Sequence, residues 1–258
     1  MANINTVHLP YGYLLANTPL TLQGVGKVVS PKLKVLYGES QDNWQNYIFM
    51  QAVAKGTLSS FVKIAEAFLG TPLPQDITAN SKYDILIHIQ KLREVFIQAL
   101  SLFFINRIEY FDEYGFIFFN KKTDDVEGCL NEETFELYCS IIAQLMHDGK
   151  VENQPQKEHE DFSDKPPEVI HALKMFEKYS NTSKSESSKT YLLENIISKM
   201  SVVNSGYNLL TIYELTVWQL FDQFQAYTQN RISKLSERSY SIWGGEDFDF
   251  ELWLKNNN

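Results

Sequence analysis

Leu210-Thr211-Ile212-Tyr213-Glu214-Leu215-Thr216-Val217-Trp218-Gln219-Leu220 carries two helix-start signatures in succession. In the first, Thr211 is placed to cap the amide of Glu214 while the Glu214 carboxylate reaches back to the cap's own N–H. Thr216 and Gln219 repeat the arrangement. A hydrophobic residue before each cap, Leu210 and then Leu215, is spaced to meet one on the next turn, Leu215 and then Leu220, as a hydrophobic staple requires. Two tight entries in a row fix an angle between elements and predict a C-terminal helical module. Its long helix would carry Val217, Phe221, Phe224, Thr228, Ile232 and Leu235 on one face, opposite Gln219, Asp222, Gln223, Gln225, Gln229 and Asn230. Thr211, Glu214, Thr216, Trp218, Gln219, Phe221 and Phe224 are the residues expected to fix this module.

Beyond Trp243-Gly244-Gly245 the chain alternates acids with aromatics, Glu246-Asp247-Phe248-Asp249-Phe250-Glu251-Leu252-Trp253. Such a tail either folds back on its module or presents aromatic anchors to another protein, and the residues leave both open. Phe248, Phe250 and Trp253 are the candidate partner-binding side chains.

Working toward the N-terminus, residues 152–167 are polar, charged and proline-containing, and 180–189 form a serine–lysine tract. The expected division is an N-terminal body (1–151), a polar linker region (152–189) with a short helix over 168–179, and the C-terminal module (190–258). In the body, Leu20 to Val29 reads as a short ribbon turned at Gly24 and Gly26, and the segment before it as irregular. Ser30-Pro31 reads as a helix start. Helices are expected over 41–54 and 58–69, ending at Gly56 and Gly70. A longer one from Lys82 carries Ile85, Ile89, Leu92, Phe96, Ala99 and Phe103 on one stripe. A hairpin pairs 107–111 with 116–120, and Asn131 caps a helix running to about His147 and stopped by Gly149. The fold class is therefore mainly α: a multi-helix body with a small β-hairpin and ribbon, plus the helical module.

Composition narrows the function. At 258 residues, 44% hydrophobic and 14% aromatic, the chain can bury a sizeable core. A net charge of −9 opposes non-specific nucleic-acid binding, which needs a basic field to displace counterions. The opening MANINTVHLPYGY lacks the basic and apolar regions of a signal peptide, and no apolar run approaches the ~20 residues that cross a bilayer. Neither nucleic acid nor membrane is an expected partner, and the expected location is the cytoplasm. Cys129 and Cys139 form neither a disulfide framework nor a zinc site.

Candidate chemistry is weighed residue by residue. Gly24-Val25-Gly26-Lys27 lacks the first glycine and the Ser/Thr of a phosphate loop and reads as a structural turn. His88 reads as a core-edge residue and His147 as a helix-end residue suited to the dipole. His159, among Glu158, Glu160 and Asp161, has metal-ligand types without a closed spacing. Glu109, Asp112, Glu113, Asp124, Asp125 and Glu127 could do acid–base work only if burial split their pKa values, and no placed nucleophile accompanies them. No catalytic residue, cofactor or metal is assigned, and the protein is not expected to be an enzyme.

Leu210-Thr-Ile-Tyr-Glu-Leu, Trp218-Gln-Leu-Phe-Asp-Gln-Phe224, a small-residue break and the closing Trp253-Leu-Lys-Asn256 resemble the C-terminal region of phage tail assembly chaperones. The break here is Gly244-Gly245 where that family carries Ala-Gly. The resemblance implies a protein of the host-cell cytoplasm that binds the tape-measure protein, the major tail protein or both during virion morphogenesis, with homo-oligomer formation left open. Phe248, Phe250 and Trp253 would contact the partner. The alternative is a structural adaptor retained in the phage particle; an enzyme with an acidic or histidine site ranks third.

Overall fold

The computed structural model describes residues 7–74, 81–147, 193–203 and 206–243. The chain divides into two compact units: the first comprises Met1–Asp148 and Tyr213–Gln219, the second Gly149–Ile212 and Leu220–Asn258. The strip Tyr213–Gln219 thus belongs with the N-terminal body. The described residues are mainly helical with two small antiparallel sheets.

The first unit opens with helix α1 (Tyr11–Ala16), where the sequence reads as irregular. Pro10 precedes its first turn and Asn17, in the left-handed region at φ 50°, stops it. Strands β1 (Leu20–Leu22) and β2 (Gly26–Val28) then form the expected ribbon. Ser30 caps no helix of its own. Pro31 and Lys32 stay extended, and a π-helix follows at Val35–Glu39. Helices α2 (Gln41–Lys55) and α3 (Leu58–Leu69) begin at Ser40 and Thr57, whose hydroxyls accept from the amides of Asp42 and Ser60.

The helix expected from Lys82 onward is two: α4 (Lys82–His88) and α5 (Gln90–Leu100), with Ile89 extended between them at φ −109°, ψ 103°. Side chains stabilise the break. The Arg93 guanidinium donates to the freed Ile87 carbonyl at 3.2 Å, and the His88 ring meets the Asp84 carbonyl at 2.7 Å. The change of axis lets adjacent Ile85 and Leu86 both reach the core while Leu92, Phe96 and Ala99 still face inward. His88 is left exposed, not at the core edge.

Strands β3 (Arg107–Phe111), β4 (Gly115–Phe119) and β5 (Val126–Leu130) form a meander in the order β3-β4-β5. The third strand extends the expected hairpin. Along β4, Phe116 and Phe118 point into the core, as the two-residue strand period requires. Phe96 packs on Phe116 at 5.0 Å between ring centroids, and Phe118 stacks on Tyr138 at 5.1 Å. Tyr138 lies on α6 (Phe135–Leu145), and its hydroxyl donates to the Val25 carbonyl at 3.0 Å. Gly128 is required where β5 meets the ribbon, because a Cβ there would stand 2.3 Å from the Val25 oxygen. Asn131 and Thr134 exchange amide and side-chain hydrogen bonds before α6 begins, and His147, at φ 56°, makes the left-handed turn after it. Gly149 lies outside the described residues.

The described part of the second unit contains α7 (Leu193–Val203), which buries Leu193, Ile196, Ile197 and Met200 at helical spacing. Helix α8 (Val217–Trp243) takes its first turn from the 213–219 strip. The linker 152–189 and the helix expected over 168–179 lie outside the described residues.

Candidate functional site

The 213–219 strip is the most completely specified polar arrangement in the first unit. Lys32 pairs with Thr216 as an antiparallel bridge. On either side, the Leu33 amide donates to the Leu215 carbonyl and the Val217 amide to the Pro31 carbonyl, each at 2.9 Å. Thr216 and Gln219 make the expected reciprocal box: the Gln219 amide donates to Thr216 Oγ1 at 3.0 Å, and the Thr216 amide to Gln219 Oε1 at 2.8 Å. The Ser30 hydroxyl supplies what that box leaves over. It accepts from the Trp218 amide at 3.4 Å and donates to the Leu145 carbonyl at 2.9 Å. Three successive amides at the start of α8 are thereby satisfied, two of them by residues 30–31.

Side chains complete the seat. Glu214 lies between Lys32 and Lys34, with Nζ–carboxylate distances of 3.1 and 2.9 Å. These two lysine hydrogen bonds hold its carboxyl below the ordinary carboxylate range. Gln219 Nε2 donates to the Leu15 carbonyl at 2.6 Å. Trp218 is buried against the edge of Tyr11, with the ring of His147 5.4 Å away. Tyr213 sets its ring edge-on to Tyr37, the outer member of a stack running through Trp44 and Tyr47 to Phe103.

The upstream box is not the one expected. Asn208, not Thr211, is the cap. Its Oδ1 accepts from the amides of Leu210 and Thr211, and Thr211 Oγ1 accepts in return from the Asn208 amide. Glu214 is drawn to the lysines instead. Leu210, 87% exposed, makes no staple. Phe221 and Phe224 are half-buried on α8.

A second polar cluster surrounds the meander. Asn106 is buried. Its Oδ1 accepts from the Lys27 amide at 2.7 Å, and its Nδ2 donates to Glu127 at 2.7 Å and to the Phe119 carbonyl at 3.3 Å. Hydrogen bonds from Asn106 and then Asn120 hold the Glu127 carboxyl below its ordinary range. Arg107 pairs with Glu109 and with Asp124, and lies over the Phe119 ring. Glu109, Asp124 and Glu127 are thus engaged by structural partners. In the 24–27 turn the Lys27 amide donates to Asn106.

Among the described residues no group of three or more His, Cys, Asp and Glu side chains could hold a metal ion. Cys139 is buried, which pushes its thiol up to about 12, and burial also raises Cys129. Both are free. A cavity lined by Leu9, Leu14, Asn17, Val28, Ser30 and Leu145 has room for about one water-sized group. His159 and the tail residues Phe248, Phe250 and Trp253 lie outside the described residues. No described helix is long and apolar enough to cross a membrane.

With this geometry in hand, residues 181–258 are found to match the family model of the YomV second domain, a phage-related domain. The matched stretch contains the 213–219 strip, all of α8 and the acid–aromatic tail. No match to the chain was found among curated proteins or solved structures.

Proposed function

We propose that this is a phage tail morphogenesis protein that acts by binding another polypeptide, as a tail assembly chaperone for the tape-measure protein, the major tail protein or both. The observation that carries the reading is the match of residues 181–258 to a phage-related domain. That span ends in a tail whose alternating acids and aromatics suit transient docking. Net acidity keeps such a protein soluble beside an aggregation-prone client. The reading assigns no catalytic step. In it, the first unit seats the start of α8, and Phe248, Phe250 and Trp253 engage the client.

Deleting residues 246–258 tests the assignment. The shortened chain should keep its helical circular dichroism and lose co-purification with the tail proteins. Unchanged co-purification would refute the role of the tail. Mass spectrometry of purified virions separates the chaperone, absent from the particle, from a structural adaptor present at fixed stoichiometry.

A further inference from the structure

The edge formed by Ser30, Pro31, Lys32, Leu33 and Lys34 is filled by a stretch 182 residues away in sequence, counted from Lys32 to Glu214. Everything that seats the stretch is local to it. The two backbone bonds flank Lys32 and Thr216, the Ser30 hydroxyl meets the Trp218 amide, and the lysine pair faces Glu214. Gln219 adds its bond to the Leu15 carbonyl and Trp218 its contact with Tyr11. Two main-chain bonds around a single bridge give affinity, as in recognition of a peptide backbone, while a carboxylate and an indole at fixed positions give specificity.

We propose that the Ser30–Lys34 edge is a peptide-receiving site whose ligand is the chain's own 213–219 strip, and that the strip keeps its seat when the chain is cut between residues 149 and 192. The partner it fits is a segment whose short helical turn carries a carboxylate facing the lysines, followed after one residue by a Thr-x-x-Gln helix start with tryptophan at its third position. A second copy of the chain is a poorer occupant. A covalently joined strip competes at an effective concentration on the order of millimolar, far above that of a free copy at micromolar protein. The proposal concerns how the two parts of the chain are joined and stands independently of the tail's client.

The test places a site-specific protease sequence after Lys165 in the full chain and follows the two pieces on native size exclusion once a denaturing gel shows the cut complete. In the parent they should co-elute at micromolar protein and low salt. Val217→Pro removes the amide that reaches Pro31 while suiting the first helical position, and Glu214→Lys reverses the charge facing the lysines. Together they should weaken retention roughly tenfold or more. The charge-exchanged chain Lys32→Glu/Lys34→Glu/Glu214→Lys should regain the retention that Glu214→Lys alone loses, a rescue that misfolding cannot imitate. Separation of the pieces in the parent would overturn the proposal. So would retention unchanged by Val217→Pro/Glu214→Lys, or absence of rescue in the charge-exchanged chain.

Discussion

Asn106 ties the ribbon, β4 and β5 together through a single side chain, accepting from Lys27 and donating to Phe119 and Glu127. Replacing it with leucine leaves the part-buried Lys27 amide without its acceptor and Glu127 with Asn120 alone. We expect Asn106→Leu to cost about 2–3 kcal/mol, read as a lowered urea midpoint. It should also change the pH dependence. The folded Glu127 carboxyl is held below its unfolded value, so its contribution is fully present above the unfolded pKa and is lost as pH falls through the folded one. Asn106→Leu should flatten this acid-side loss; a slope equal to the parent's would contradict the assignment. The same sign applies to Glu214, whose lysine pair should weaken in acid and at high salt. At this scale the sequence shows the acids but not their partners. Nothing in the spacing of Asn106, Asn120 and Glu127 announces that a β-meander will bring two amides onto one carboxylate.

Among the elements, the start of α8 is the most strongly specified. Thr216→Ala removes the acceptor for the Gln219 amide and should cost about 1 kcal/mol. Ser30→Ala, which removes a bond to Leu145 and the partner of the Trp218 amide, should cost at least as much. Thermal denaturation of both single variants and the double variant checks this, and because both act on the same helix start the losses should be non-additive. Elements marked by local chemistry were legible in the sequence: Gly56 and Gly70 end α2 and α3, Asp112 to Tyr114 turn the hairpin into Gly115, and Thr216 with Gln219 opens α8. Elements set by tertiary packing were not. The break at Ile89 depends on Arg93 reaching the Ile87 carbonyl, and β5, with Glu127 and Gly128 at its centre, has little strand propensity of its own. Two adjacent capping signals compete at 208–214, and Asn208 wins because Glu214 finds lysines that only the fold brings near.

For the whole molecule, the proposed function places recognition in the part that matches a phage-related domain and scaffolding in the larger body. The docked strip 213–219 could not be read from sequence, since pairing across 182 residues leaves no local periodicity. The alternation of acids and aromatics in the tail is visible without a fold, and its role rests on the proposal alone. The measurement that bears most directly on the account is affinity capture of the full chain from cells making the phage tail proteins, beside Phe248→Ala/Phe250→Ala/Trp253→Ala. The account predicts that the tape-measure or major tail protein is recovered with the parent and is reduced at least ~tenfold with the triple variant, at unchanged helical content. Equal recovery with both chains, or recovery of neither tail protein with the parent, would contradict it.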